Sequence, residues 1–172
     1  SQMNAPILSH QIGEGKNVLL LGGIHGDEVE GVAFCNALLH NCIDEAIAGL
    51  CLHFIPQANP DGFLLKTRAN ANGVDLNRNL PTKDWDPKAF TKRYYPGEKA
   101  NSELENQALT AYIEEYDFRF VISFHSFHKF LLNVNGDCSP YAELIHEMTK
   151  YPIEESMGYP TPGCLGTYTG LE

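Results

Sequence analysis

Positive charge is scarce in this sequence: 12 Lys and Arg stand against 22 Asp and Glu, for a formal net charge of -10 over 172 residues. So anionic a surface repels phosphate backbones and anionic lipid headgroups, which excludes nucleic acid and a charged membrane as partners. No apolar run is long enough to span a bilayer. The N-terminus lacks the basic start and apolar core of a secretion signal. There is no internal repeat and no low-complexity tract. The five cysteines, Cys35, Cys42, Cys51, Cys138 and Cys164, are odd in number and lack metal-knuckle spacing. Cys35 and Cys51 lie in apolar runs and are expected to be buried thiols, which fits a reducing cytoplasm better than a disulfide framework.

The length suits one domain with a real core. Apolar runs at Val18–Gly22, Leu50–Ile55, Phe118–Phe124 and Phe130–Val134 read as strands. Helical patterns occupy Glu28–Leu39, a stretch after Ser102-Glu103-Leu104-Glu105 running to about Glu115, and Tyr141–Lys150, with Ser102 and Glu105 spaced as a capping box. Strands alternating with helices predict an α/β fold, a mixed and largely parallel sheet with helices on both faces. The stretch from Asn59 to Lys99 is long, polar and irregular, the kind of loop that carries function.

The segment Gly22-Gly23-Ile24-His25-Gly26-Asp27-Glu28 follows the first strand. Open α/β sheets bind ligands at the carboxyl ends of their strands. An imidazole and a carboxylate spaced like His25 and Glu28 can reach one metal ion, and zinc accepts that mixture. The pair alone also fits a first-turn carboxylate at a helix N-terminus beside a surface histidine. His125, at the end of the Phe118–Phe124 run, adds a third donor. Two His and one Glu with a position left for water is the composition of a catalytic zinc site rather than a closed structural one.

Four motifs now stand in order: His25-Gly26-Asp27-Glu28, Asn59-Pro60-Asp61-Gly62, Asp75-Leu76-Asn77-Arg78-Asn79 and Ser123-Phe124-His125-Ser126. Together they resemble the zinc carboxypeptidase family typified by carboxypeptidase A. Arg68-Ala69-Asn70-Ala71-Asn72-Gly73-Val74-Asp75 and Tyr159-Pro160-Thr161-Pro162-Gly163 are similar to the murein peptide amidase branch of that family, which cleaves the γ-D-glutamyl–diaminopimelate bond of recycled cell-wall peptides. The resemblance implies one zinc ion per chain on His25, Glu28 and His125. It implies Asn77 and Arg78 on the terminal carboxylate of a small peptide, Arg68 on the oxyanion, and Tyr159 closing over substrate. Arginine suits these tasks because its planar fork stays charged and bonds a carboxylate in two places.

The resemblance further implies a glutamate general base on a late strand. Glu172 follows Gly170-Leu171 with no strand before it, so that base is expected beyond residue 172. Residues 1–172 then form a single zinc peptidase catalytic domain without its last strands and helix, leaving an exposed sheet edge. Asp75 is expected to hold an arginine or loop amides, Asn59 and Asp61 to shape a turn, and His128 to stand at the rim. His10, His40, His53 and His146 show no partner pattern. A zinc-dependent N-acyl amino acid deacylase of the aspartoacylase and succinylglutamate desuccinylase type shares two of the motifs. Asn59-Pro60-Asp61-Gly62 favours the peptidase side. A non-catalytic zinc-dependent binding domain is the reading from another class.

Overall fold

In the computed structural model the described residues are 1–88, 91–127 and 130–171; Ala89, Phe90, His128, Lys129 and Glu172 lie outside them. The expected position of His128 at the rim and the helix or strand context of Glu172 therefore fall outside the described residues.

The sheet is built on an apolar strand, β2 (Gly15–Leu21), whose last three residues are all buried. It pairs in parallel with β3 (Gly49–Ile55) on one side and with β4 (Phe120–Ser123) on the other. An antiparallel strand, β1 (His10–Gly13), closes the far edge, giving the order β1-β3-β2-β4. The sequence reading missed β1, whose short polar run His10-Gln11-Ile12-Gly13 carries no alternation to detect. The other three strands of this sheet are the expected ones with shifted ends; a two-residue strand at Ile153–Glu154, outside this sheet, was likewise not expected.

Alternation along β2 sends its side chains to two cores, because successive residues of a strand face opposite sides. Leu20 meets Leu52, Phe54 and, from α1 (Val29–Cys42), Cys35 and Leu39. Leu19 and Leu21 meet Ile55, Leu109 of α3 (Leu104–Tyr116) and Leu165 of α5 (Leu165–Gly170). Helices thus cover both faces, as expected. Two further helices, α2 (Pro60–Leu65) and α4 (Ser139–Thr149), complete the set; α4 links the two strands of a small parallel ribbon, β5 (Leu132–Asn133) and β6 (Ile153–Glu154).

Four local expectations need correction. Asn59-Pro60-Asp61-Gly62 opens α2 instead of a plain turn: Asn59 Oδ1 accepts from the Gly62 amide, and Pro60 occupies the first helical position, where its missing N–H costs nothing. The capping box at Ser102 does not form. Glu103 and Glu105 turn inward, where the side-chain amide of Asn70 donates to both carboxylates at 2.8 and 3.1 Å. Cys51 is only half-buried and contacts His53. His53 itself has partners: fully buried, it meets the Tyr112 hydroxyl at 2.8 Å and Asn17 Oδ1 at 3.1 Å, and burial pushes its pKa down.

All five cysteines are free. Cys35 is fully buried against Leu20, and burial pushes its thiol up to about 11. The nucleophile in alkylation is the thiolate. Cys35 is therefore expected to resist iodoacetamide at pH 8 in the folded protein and to label fully in denaturant. Peptide mapping that finds Cys35 carbamidomethylated in the native state would contradict this packing.

Candidate metal centre

β2 and β4 are neighbours in the sheet, while the chain leaving β2 crosses to β3 on the opposite side. Strand order therefore reverses between β2 and β4, the place where open α/β sheets bind ligands. His25 follows the carboxyl end of β2, and His125 follows that of β4. Gly23 lets the chain turn there: its φ of +62° lies in the left-handed region that side chains avoid. Gly26 lets the loop sink further, since a Cβ at this position would lie 2.0 Å from the Gly62 carbonyl carbon. Asn59, fully buried, ties the same loops together; its amide nitrogen donates to the carbonyls of Ile24 and Arg68 at 3.4 and 3.3 Å.

The result is a compact donor cluster. One ligand atom each from His25, Glu28 and His125 lies within 4.8 Å of the others. The Nδ1 atoms of both histidines face the Glu28 carboxylate, at 2.8 Å for His25 and 2.9 Å for His125. His25 Nε2 points the other way, to Asp75 Oδ1 at 3.2 Å. A carboxylate on the far ring nitrogen is the usual support of a metal-bound histidine, because it fixes the tautomer and makes the ligating nitrogen more basic. Two imidazole nitrogens and a carboxylate, one of them backed in this way, fit a zinc ion. The side chain of His125 is 31 % exposed and that of His25 only 3 %, so the cluster opens on the His125 side.

Asp75 holds both an arginine and a loop amide, as expected, and it also meets His25, 50 positions away, a contact that no local pattern signals. Its Oδ2 accepts from Arg68 Nε at 2.9 Å, and its Oδ1 also accepts from the Asn77 amide at 3.0 Å. Burial opposes its charge, but His25, Arg68 and Arg78 outweigh that and hold its carboxyl well below the usual range. Glu28 is likewise desolvated, yet His125 and His25 hold it well below the usual range. Burial also opposes charge on His25; the bonds to Asp75 and Glu28 prevail and raise its pKa.

The arginines border the cluster. Arg68 Nη1 lies 3.5 Å from Glu28 Oε1, while its Nη2 has no hydrogen-bond partner among the described residues. Arg78 is buried, and among the described residues its guanidinium donates one bond, from Nη1 to the Asn77 carbonyl at 2.5 Å. Asn77 Oδ1 accepts from the Leu165 amide at 2.8 Å, and its side-chain NH2 has no hydrogen-bond partner among the described residues. Tyr94, unremarked in the sequence, stands against both guanidinium groups, and the exposed Tyr159 ring lies 6.4 Å from it.

Comparison with known proteins gives a consistent set of relatives. The zinc carboxypeptidase family profile matches residues 2–156. Murein peptide amidase A of Escherichia coli (strain K12) is 33 % identical over 175 residues, covering 95 % of this chain and 68 % of that protein. The crystal structure of a murein-tripeptide amidase from Escherichia coli O157 superposes with a TM-score of 0.80 at 30 % identity, over 98 % of this chain and 74 % of that one. A succinylglutamate desuccinylase/aspartoacylase from Rhodobacter sphaeroides shares the fold alone, with a TM-score of 0.51 at 24 % identity over 70 % of this chain and 33 % of that one.

Asp75 makes a pH prediction possible for the metal-free protein. Its folded-state pKa is depressed, so its stabilisation is fully present above the ordinary aspartate value of about 4 and is lost as pH falls toward the folded value. Thermal unfolding of chelated protein should therefore show Tm falling below about pH 4. Asp75→Asn strands Arg68 and His25, so it is expected to cost about 3–5 kcal/mol at pH 7 and to flatten that acid limb. An unchanged acid limb in the variant would remove Asp75 from this role.

Proposed function

The chain belongs to the zinc carboxypeptidase family, a family of zinc metallopeptidases, and on that premise we propose that it hydrolyses an amide bond in a small murein peptide with a free carboxylate, the γ-D-glutamyl–meso-diaminopimelate bond. His25, Glu28 and His125 hold one zinc ion per chain in this reading. The observation that carries it is the continuity of the site: Asp75 contacts the cluster through His25, the first arginine through Arg68 Nε, and the Asn77-Arg78 turn through the Asn77 amide. Likeness to the murein peptide amidases supports the substrate, and free cysteines throughout support a reducing, cytoplasmic setting.

Zinc bound there supplies a Lewis acid and lowers the pKa of water. The protein's own groups do the rest. Arg78 and the unpartnered side-chain NH2 of Asn77 bind the terminal carboxylate and fix the register of the peptide. Arg68 presents Nη2 to the scissile carbonyl, where negative charge grows in the transition state; its other nitrogens are held by Asp75 and Glu28, so little reorganisation is needed. Asp75 keeps the Nε2 proton on His25, which leaves Nδ1 free to ligate. Tyr159, exposed and next to Tyr94, closes over the bound peptide.

Two measurements test this. Elemental analysis should find about one zinc per chain, reduced at least tenfold by His25→Ala or Glu28→Ala; a folded, unchelated protein without divalent metal would defeat the assignment. With γ-D-glutamyl–meso-diaminopimelate peptide, Arg78→Ala should mainly raise KM, and Arg68→Ala should lower kcat by about a hundredfold or more. Equal effects on KM alone from both changes would refute the division of labour.

A further inference from the structure

Tyr94 ends a short 3-10 turn, Lys92–Tyr94, and its ring is shared by two cations. Arg68 Cζ lies 5.2 Å from the ring centroid and Arg78 Cζ 5.5 Å from it. Both distances are within cation–π range, and the ring's negative face offsets the repulsion between two like charges held near each other. The half-buried phenol has no hydrogen-bond partner among the described residues, unlike Tyr112, which meets His53, or Tyr168, which meets Glu114. Tyr94 is therefore not held as a satisfied core tyrosine.

The segment is pinned from both sides. The Tyr95 carbonyl accepts from the Asp75 amide at 2.8 Å, and the Pro96 carbonyl accepts from Asn79 at 2.7 Å. Arg93 reaches Asp27, inside the loop between the two first metal-binding candidates, at 3.4 Å. This ion pair is exposed and contributes little stability. A small concavity beside Arg78 is lined by Tyr94, Pro96 and Pro162, with Asp86 and Lys88 also contributing.

We propose that Tyr94 is a substrate-positioning residue of this site: its ring orients the Arg78 and Arg68 guanidinium groups together, so that one meets the terminal carboxylate while the other meets the scissile carbonyl of the same peptide. This rests on the roles given above to the two arginines. The ring does not touch the reacting atoms. It acts by holding the two charged forks in one arrangement, which makes its π face, and not merely its bulk, the essential property.

Binding of the product amino acid tests this without depending on turnover. Calorimetry with meso-diaminopimelate and with its carboxamide separates recognition of the carboxylate from general packing. Wild type and Tyr94→Phe should bind the free acid alike and well above the carboxamide. Tyr94→Leu, which keeps a branched apolar side chain and removes the π face, and Tyr94→Ala should both bind the acid about tenfold more weakly, with the carboxamide unchanged. An acid-to-carboxamide ratio in Tyr94→Leu equal to wild type would overturn the proposal while leaving the arginine assignment intact. A wild type with no preference for the acid would instead overturn the role of Arg78, and the proposal with it.

Discussion

A carboxylate with no exposed surface survives only where cations and donors replace the water it has lost, and Asp75 is such a group. Its two oxygens meet His25, the Asn77 amide and Arg68. The metal-binding candidates, Arg68 and the Asn77-Arg78 turn therefore share one anchor. Desolvation makes the arrangement stiff, because losing any one partner exposes the others to an uncompensated charge. Arg68 needs this most: a long side chain with many rotamers becomes a fixed donor only when its inner nitrogens are already committed.

Asparagine does the comparable work for the backbone. The stretch between α2 and α3 contains only 3-10 turns among its described residues, so its peptide groups need partners from side chains. Asn79, fully buried, donates to the carbonyls of Pro96 and Lys99 and to Ser102. Asn70 accepts from the amides of Asn72 and Val74 while donating to Glu103 and Glu105. Long loops normally pay for their irregularity in mobility. Here the loop is held to α3 by buried polar contacts, and the two arginines inherit its order.

The parts of this architecture that were legible in the sequence are those written in contiguous residues. Val18-Leu19-Leu20-Leu21 announced β2, and His25 with Glu28 announced the donor pair, because strand periodicity and ligand spacing are local properties. The contact from Asp75 to His25 was not legible, since nothing in Asp75-Leu76-Asn77-Arg78 says which distant imidazole its carboxylate will meet. Glu103 and Glu105 misled for a related reason. Their spacing from Ser102 fits a helix cap, but tertiary donors from Asn70 outcompete the local amides. Tyr94 left no pattern at all. A lone tyrosine in a polar loop becomes informative only when two arginines are seen beside it.

Gly26 and Gly62 meet backbone to backbone, each within a different sequence motif. Gly26 cannot gain a carbon unless Gly62 recedes, while a carbon on Gly62 would run into the Ala69 carbonyl oxygen and the Asn59 side chain. The loop after β2 and the start of α2 thus behave as a single solid part. Transplanting the His25-Gly26-Asp27-Glu28 loop onto another sheet would carry the donors but not their spacing, unless the Asn59-Pro60-Asp61-Gly62 turn travelled with it.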